Sequence, residues 1–203
     1  MNMLKGDITA QSFSQCQQDL AVSELFDGCG RFLDIGSRDP KVDSNSLLLE
    51  KMGWDGVCID AVRFDYSNRK AKFIQGDALE ILAGSDMTGQ RFDYASLDID
   101  GSTTEAVNVV IGNGIKFLFA TVEHDKYLHG GRCQHFQHRA LSAAGYVPMF
   151  IDILPHGSGD MYFEDWWCDR SLCDKTLGFG LSPLEALEEI KQRSKFLLTG
   201  KDI

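Results

Sequence analysis

Strand-like and helix-like segments alternate along most of this chain, and that alternation leaves few folds open. Arg31–Ile35, 57–60, Lys72–Gln75, 94–99 and 117–122 are short apolar runs bounded by glycine or polar turns, the pattern of strands buried on both faces. Helical spacing intervenes at 44–52, Ala78–Ala83 and 104–111, and a further helix is predicted at 9–27, ahead of the first strand. Consecutive strands joined through helices run parallel, with helices covering both faces of the sheet. A helix at 134–144 leads to two more strands, Tyr146–Ile153 and 161–167. The turn cluster 155–159 separates them, so they are predicted to pair antiparallel at one edge. A charged amphipathic helix at 183–198 follows. The expectation is an α/β fold on a doubly wound, mostly parallel seven-stranded sheet with an antiparallel edge pair. The 203 residues show no linker-like stretch and no repeat, and are read as one domain, 1–203.

In such a sheet, ligands bind beyond the carboxyl ends of the strands, near the reversal in strand order. Five consecutive strand ends carry an acid: Asp34 just before Gly36 and Ser37, Asp60 before Ala61, Asp77 before Ala78, Asp98 with Asp100, and Glu123 before His124. One such acid is commonly a helix cap or a solvated loop residue. Five in succession suit a ligand that presents amines and hydroxyls, as S-adenosylmethionine does. Asp34 and Gly36 would approach its amino-acid end, where a glycine lets backbone come close. Asp60 follows Gly36 at roughly the 20-residue spacing at which an acid meets a ribose, and Asp77 could accept from the adenine amino group. A nicotinamide or flavin would need a phosphate cradle instead. The nearest string, Gly28-Cys29-Gly30-Arg31-Phe32-Leu33, precedes its strand and lacks the third glycine, which disfavours an oxidoreductase.

These residues lie within longer strings. SQCQQD at 14–19, FLDIGSRDP at 32–40, SNSLLLEKMGWDGVCID at 44–60 and LDIDG at 97–101 are followed by Glu123-His124, Gly145-Tyr146 and Phe163-Glu164-Asp165-Trp166. In this order they resemble the FkbM family of class I methyltransferases. The resemblance implies a Rossmann-like methyltransferase fold, S-adenosylmethionine as cofactor, and O-methylation of a hydroxyl, often on a sugar or polyketide. It also implies cofactor contacts at Gly36, Asp60, Asp77 and Ala78. With their strand-end neighbours the candidate cofactor set is Asp34, Gly36, Ser37, Asp60, Ala61, Asp77, Ala78 and Asp98. The family commonly carries Ala-Asn after the first glycine, where this chain has Ser37-Arg38.

A sulfonium methyl is already activated, so such an enzyme must align a nucleophile and remove its proton. His124 is the candidate general base, with Asp98 or Asp100 orienting it or the acceptor hydroxyl and Glu123 alongside. The competing reading of His124 is a satisfied core histidine. Carboxylates beside an imidazole also suit a divalent ion such as Mg²⁺ or Mn²⁺, and that alternative stays open with no ligand set assigned. His135 and His138 are read as a polar helix face. Trp166 and Trp167 should point to opposite faces of their strand, one into the core and the other to a substrate wall or an oligomer contact.

The formal charge of -10 bears on the acceptor. Nucleic-acid binders usually carry a basic face, whereas here the bases are scattered and the densest group, Arg63, Arg69, Lys70 and Lys72, is modest. A hydroxyl of a small molecule or neutral glycan is therefore expected, with no nucleic-acid partner. Six cysteines without a C-x-x-C pair read as reduced thiols in a cytoplasmic protein. No run is long enough to span a membrane or to serve as a signal peptide. The other classes in play are a cofactor-binding module of the same fold without turnover and, less favoured, a nicotinamide-dependent oxidoreductase. The retained Asp98, Asp100, Glu123 and His124 argue for turnover.

Overall fold

The computed structural model describes residues 11–155 and 161–199. The first strand, β1 (Arg31–Ile35), lies between β2 (Asp55–Asp60) and β4 (Arg91–Leu97). β3 (Lys72–Gln75) pairs outside β2, and β5 (Lys116–Glu123) outside β4, all in parallel. β6 (Tyr146–Ile153), β7 (Glu164–Asp169) and β8 (Gly178–Phe179) complete an eight-stranded sheet in the order β3-β2-β1-β4-β5-β7-β6-β8.

Seven strands ending in an antiparallel edge pair were expected, and the structure corrects both points. β6 and β7 do pair antiparallel, but β7 is inserted between β5 and β6 and is antiparallel to both. The edge belongs to β8, which runs parallel to β6. The reason is legible in burial. Glu164 to Cys168 are all buried, and a strand covered on both faces belongs inside a sheet. Trp166 and Trp167 face opposite sides, as expected, yet both are fully buried, so neither forms a substrate wall or an oligomer contact. β8 has two residues, too few to show a period.

Two helical layers sandwich the sheet. On one face α1 (Gln18–Leu25), α2 (Leu47–Lys51) and α7 (Pro183–Thr199) bury Ala21, Val22, Leu49, Ala186, Leu187 and Ile190 against Phe32, Tyr94, Phe119 and Trp166. On the other, α3 (Ala78–Ala83), α4 (Thr103–Gly112) and α6 (Arg132–Ala143) cover Leu33, Ile35, Ala95, Leu97, Val122 and Trp167. A single-turn helix, α5 (Lys126–His129), precedes α6. α7 begins in a capping box: Ser182 Oγ accepts from Glu185 N at 3.3 Å while Glu185 Oε2 accepts from Ser182 N at 2.8 Å.

The first helix was expected from residue 9 but starts at Gln18, and residues 1–10 lie outside the described residues. Gln17 is left-handed (φ 57°), and the fully buried Asp19 gathers the preceding turn by accepting from Phe13 N, Ser12 Oγ and Ser14 Oγ. Of the turn cluster 155–159, residues 156–159 also lie outside the described residues. No helix among the described residues is long and apolar enough to cross a membrane.

Next to Asp19, the buried Gln18 donates through Nε2 to Glu164 Oε2 at 3.1 Å, and Trp166 Nε1 donates to Glu164 Oε1 at 2.7 Å. Burial pushes the Glu164 carboxyl up to about 8, against those two hydrogen bonds and with Asp98 and Asp165 adding repulsion. From its ordinary 4.5 up to that value the folded state binds a proton that the unfolded state has released. The stability this contributes is complete below the ordinary value and is lost as pH rises through about 8. The stability difference between wild type and Glu164→Gln should therefore move in the variant's favour by about 1.4 kcal/mol per pH unit across that window. Urea midpoints at several pH values measure it, and a flat difference would show that Glu164 is already ionised in the fold.

Candidate active site

The sheet reverses its winding between β1 and β4, and both strands end at the same open edge. The chain leaves β1 through Gly36 at φ +80°, where an added Cβ would lie 1.7 Å from the Asp98 carbonyl oxygen. Gly36 N and Ser37 N both donate to Ile59 O, at 2.9 and 3.2 Å, so the loop is pinned across the ends of β2 and β4. Asp60 clamps the next turn: Oδ2 accepts from Arg38 N and Oδ1 from Val62 N, each at 2.8 Å. Each of those oxygens keeps a second lone pair. Ala61 beside it is exposed. Asp77 is the N-cap of α3, its Oδ1 accepting from Leu79 N and Glu80 N, and Ala78 is buried behind it.

Asp34 is placed differently from the other strand-end acids. It is buried beneath the loop and accepts from Ser46 Oγ at 2.6 Å. Burial pushes its carboxyl up to about 6, opposed by that bond and by the nearby Arg69 charge. Arg69 is the residue that charge counting misread. Its side chain is 2% exposed and bonds Glu50 Oε2 (3.0 Å), Pro40 O (2.8 Å), Ser44 Oγ (3.3 Å) and Ser46 Oγ (3.0 Å). Glu50 also accepts from Lys70 N and Ala71 N. The guanidinium thus ties the 40–46 loop to α2 and to the approach to β3. The available signal was Glu50, an acid within the apolar run SNSLLLEK, which needs a cationic or amide partner when buried.

The ends of β4 and β5 gather four acids. Asp98 and Glu123 share a carboxyl–carboxyl hydrogen bond, and each is held above the ordinary carboxylate range, first by burial and then by its acidic neighbours. Glu123 Oε2 accepts from Asp100 N at 3.2 Å. Asp100 is exposed and Asp125 is buried. Carboxylate oxygens of Asp100, Glu123 and Asp125 lie within 4.8 Å of one another.

His124 lies in a second cluster. It is buried; Nδ1 accepts from Lys126 N at 3.2 Å, while Nε2 is 3.3 Å from Asp165 Oδ1 and 3.7 Å from Asp152 Oδ1. An Nδ1 that accepts leaves the ring proton on Nε2, facing Asp165. Asp165 also takes His138 Nε2 at 2.7 Å, Asp152 N at 2.7 Å and Gln134 Nε2 at 3.1 Å. Burial would raise the Asp165 carboxyl, and the bonds from His124 and His138 outweigh it and hold it below the usual range. His138, read from sequence as part of a polar helix face, is a structural partner of this acid. Of the four candidate catalytic residues, Asp98, Asp100 and Glu123 stand together, while His124 turns into the network with β7 and α6.

No family model and no curated protein matches this sequence. Among solved structures, a TehB-like SAM-dependent methyltransferase from Corynebacterium glutamicum is similar over 79% of this chain and 90% of its own, at 13% identity and a TM-score of 0.54. The 1,6-didemethyltoxoflavin-N1-methyltransferase of Burkholderia thailandensis, solved with 1,6-didemethyltoxoflavin and S-adenosylhomocysteine, covers 80% of both chains at 12% identity and a TM-score of 0.51. A Streptococcus thermophilus protein described as a hemolysin covers 98% of this chain and 78% of its own, at 13% identity and a TM-score of 0.50. The chain has the Rossmann-like fold of class I methyltransferases.

Proposed function

We propose that this chain is an FkbM-type methyltransferase that moves the methyl group of S-adenosylmethionine to a hydroxyl of a small molecule or glycan in the cytoplasm. The observation that carries this reading is the approach of Gly36 backbone to the Asp98 carbonyl at the switch point, flanked by the Asp60 and Asp77 carboxylates. That approach holds the ends of β1 and β4 together at the switch point, and without a phosphate-binding glycine run the point suits a cofactor that carries no phosphate. Gly36, Ser37, Asp60, Ala61, Asp77, Ala78 and Asp98 would hold the cofactor, with Asp34 supporting their loop from beneath. When bound, the cofactor supplies an electrophilic methyl group.

The chain's own residues supply orientation and proton removal. Asp60, already fixed by two backbone amides, offers two preset lone pairs to ribose hydroxyls. Both ring nitrogens of His124 are engaged, so the base role passes to the Asp98–Asp100–Glu123 group, and His124 acts as a positioning residue for the turn that follows β5. Titration calorimetry should detect S-adenosylmethionine or S-adenosylhomocysteine, and Asp60→Ala should weaken either by about 10–100-fold, the value of a charged hydrogen-bonding pair. Labelled methyl should pass to hydroxylated metabolites or saccharides and not to RNA. Binding of NAD without S-adenosylmethionine would overturn the reading.

A further inference from the structure

We propose that the carboxyl edge of the sheet is a docking surface for a phospholipid bilayer with zwitterionic headgroups, on which the chain lies without spanning it. All eight exposed large hydrophobic side chains among the described residues stand at this edge. Val42 lies on the connection after β1, Val62 on that after β2 and Leu128 on that after β5. β7 is antiparallel to both β5 and β6, and β8 is parallel to β6, so β5, β6 and β8 end together. Met161 after β6, Phe179 at the end of β8 and Leu184 in the first turn of α7 therefore belong to the same edge. Tyr127 adjoins Leu128, and Phe136 is one turn into α6. The connections at the opposite edge carry none, whereas a chance scatter of solvated apolar residues would occupy both edges.

Breadth and spacing select the occupant. Val62 beyond β2 and Phe179 on β8 are six strand positions apart, about 29 Å along the sheet, which is wider than one small acceptor. The eight stand on five separate connections, and charges intervene: Lys41 and Asp43 flank Val42, Arg63 follows Val62 and Glu185 follows Leu184. The core of a protein interface is instead a continuous apolar patch depleted of charge. A fluid headgroup layer admits each tip separately, and Val42, Val62, Leu128, Phe179 and Leu184 are between 54% and 67% exposed. Charge selects the lipid. Both signs lie beside the tips, as they do in a zwitterionic headgroup layer, and a chain of net charge -10 is repelled by an anionic surface. Lying on a bilayer needs no spanning helix. The candidate active site is at the same edge, so docking sets it against the headgroup layer.

The test sediments the full chain with phosphatidylcholine vesicles. The chain should co-sediment, and Leu128→Ser and Phe179→Ser should each lower the partition coefficient about tenfold, the effect of withdrawing one apolar side chain. Both side chains are exposed, so neither change removes a core contact. Lys116→Ser, at the opposite edge, should leave binding unchanged. Replacing about a third of the lipid with phosphatidylserine should weaken binding. No co-sedimentation, binding that survives both tip variants, or binding that requires phosphatidylserine would overturn the proposal. Gel filtration at the same concentration gives the remaining outcomes. A monomer supports docking on the bilayer, and a dimer lost with both tip variants would assign the edge to a second copy of this chain instead.

Discussion

Gly36→Ala is expected to destabilise the fold by about 2–5 kcal/mol, the sum of about 1–2 for a left-handed residue with a Cβ and about 1–3 for a forced contact. The added carbon would stand 1.7 Å from Asp98 O, 2.7 Å from Asp98 C and 3.0 Å from Ile99 Cγ2. Backbone cannot swing aside as a side chain can. Asp98 N donates to Ile35 O at 3.0 Å, so moving the carbonyl away opens the β1–β4 ladder where the cofactor would sit. Gly89→Ala is the control, because Gly89 has φ +68° and nothing within 4 Å of an added Cβ. It should cost only the conformational part, about 1–2 kcal/mol. Urea unfolding of both variants measures the difference, and equal losses would mean that the Gly36 approach is looser than the structure has it. The folded fraction of Gly36→Ala should also lose S-adenosylhomocysteine affinity, whereas Gly89→Ala should keep it.

What could be read from sequence follows the range of the interactions. β1, β3, β6 and α3 lie at the predicted limits because local periodicity and turn residues define them. The place of β7 depends on which neighbours it finds, and no local pattern carries that. EDWWCD contained a partial signal, since acids and tryptophans in succession fit neither a solvated edge nor a simple alternation. α1 starts late because Asp19 and Gln18 spend their side chains on a turn and on Glu164, a use of buried polar groups that apolar spacing does not record.

The strand-end acids were legible as a set, while their partners were not. Asp77 caps α3, Asp60 holds two backbone amides, and Asp34 lies under the loop with Ser46, so residues of one pattern serve three local purposes. Arg69 counted as one positive charge in a modest cluster, although it is buried and shared by Glu50 and two serines.

Asp165→Asn should cost about 3 kcal/mol, although it alters one atom of a side chain. His124 and Asp165 are distant in sequence and meet because β5 and β7 pair antiparallel, with Val122 opposite Asp165. Asp165 accepts from His124, His138, Gln134 and the Asp152 amide, and none of its side chain is exposed. An asparagine that turns its oxygen toward the Asp152 amide keeps it at the Oδ1 position, which also faces His124 Nε2, so its NH₂ group takes the Oδ2 position against His138 Nε2 and Gln134 Nε2. His138 can change tautomer and accept, so the loss comes from the negative charge that strengthened the His124 and His138 bonds and from Gln134 Nε2 left facing a donor in a buried site. The double variant His124→Asn with Asp165→Asn removes both ends of the His124 bond. A double-mutant cycle by urea unfolding should therefore show the pair losing at least about 1 kcal/mol less than the sum of the single changes. Additive losses would place the His124 ring away from Asp165 and return its Nε2 to the candidates for proton transfer.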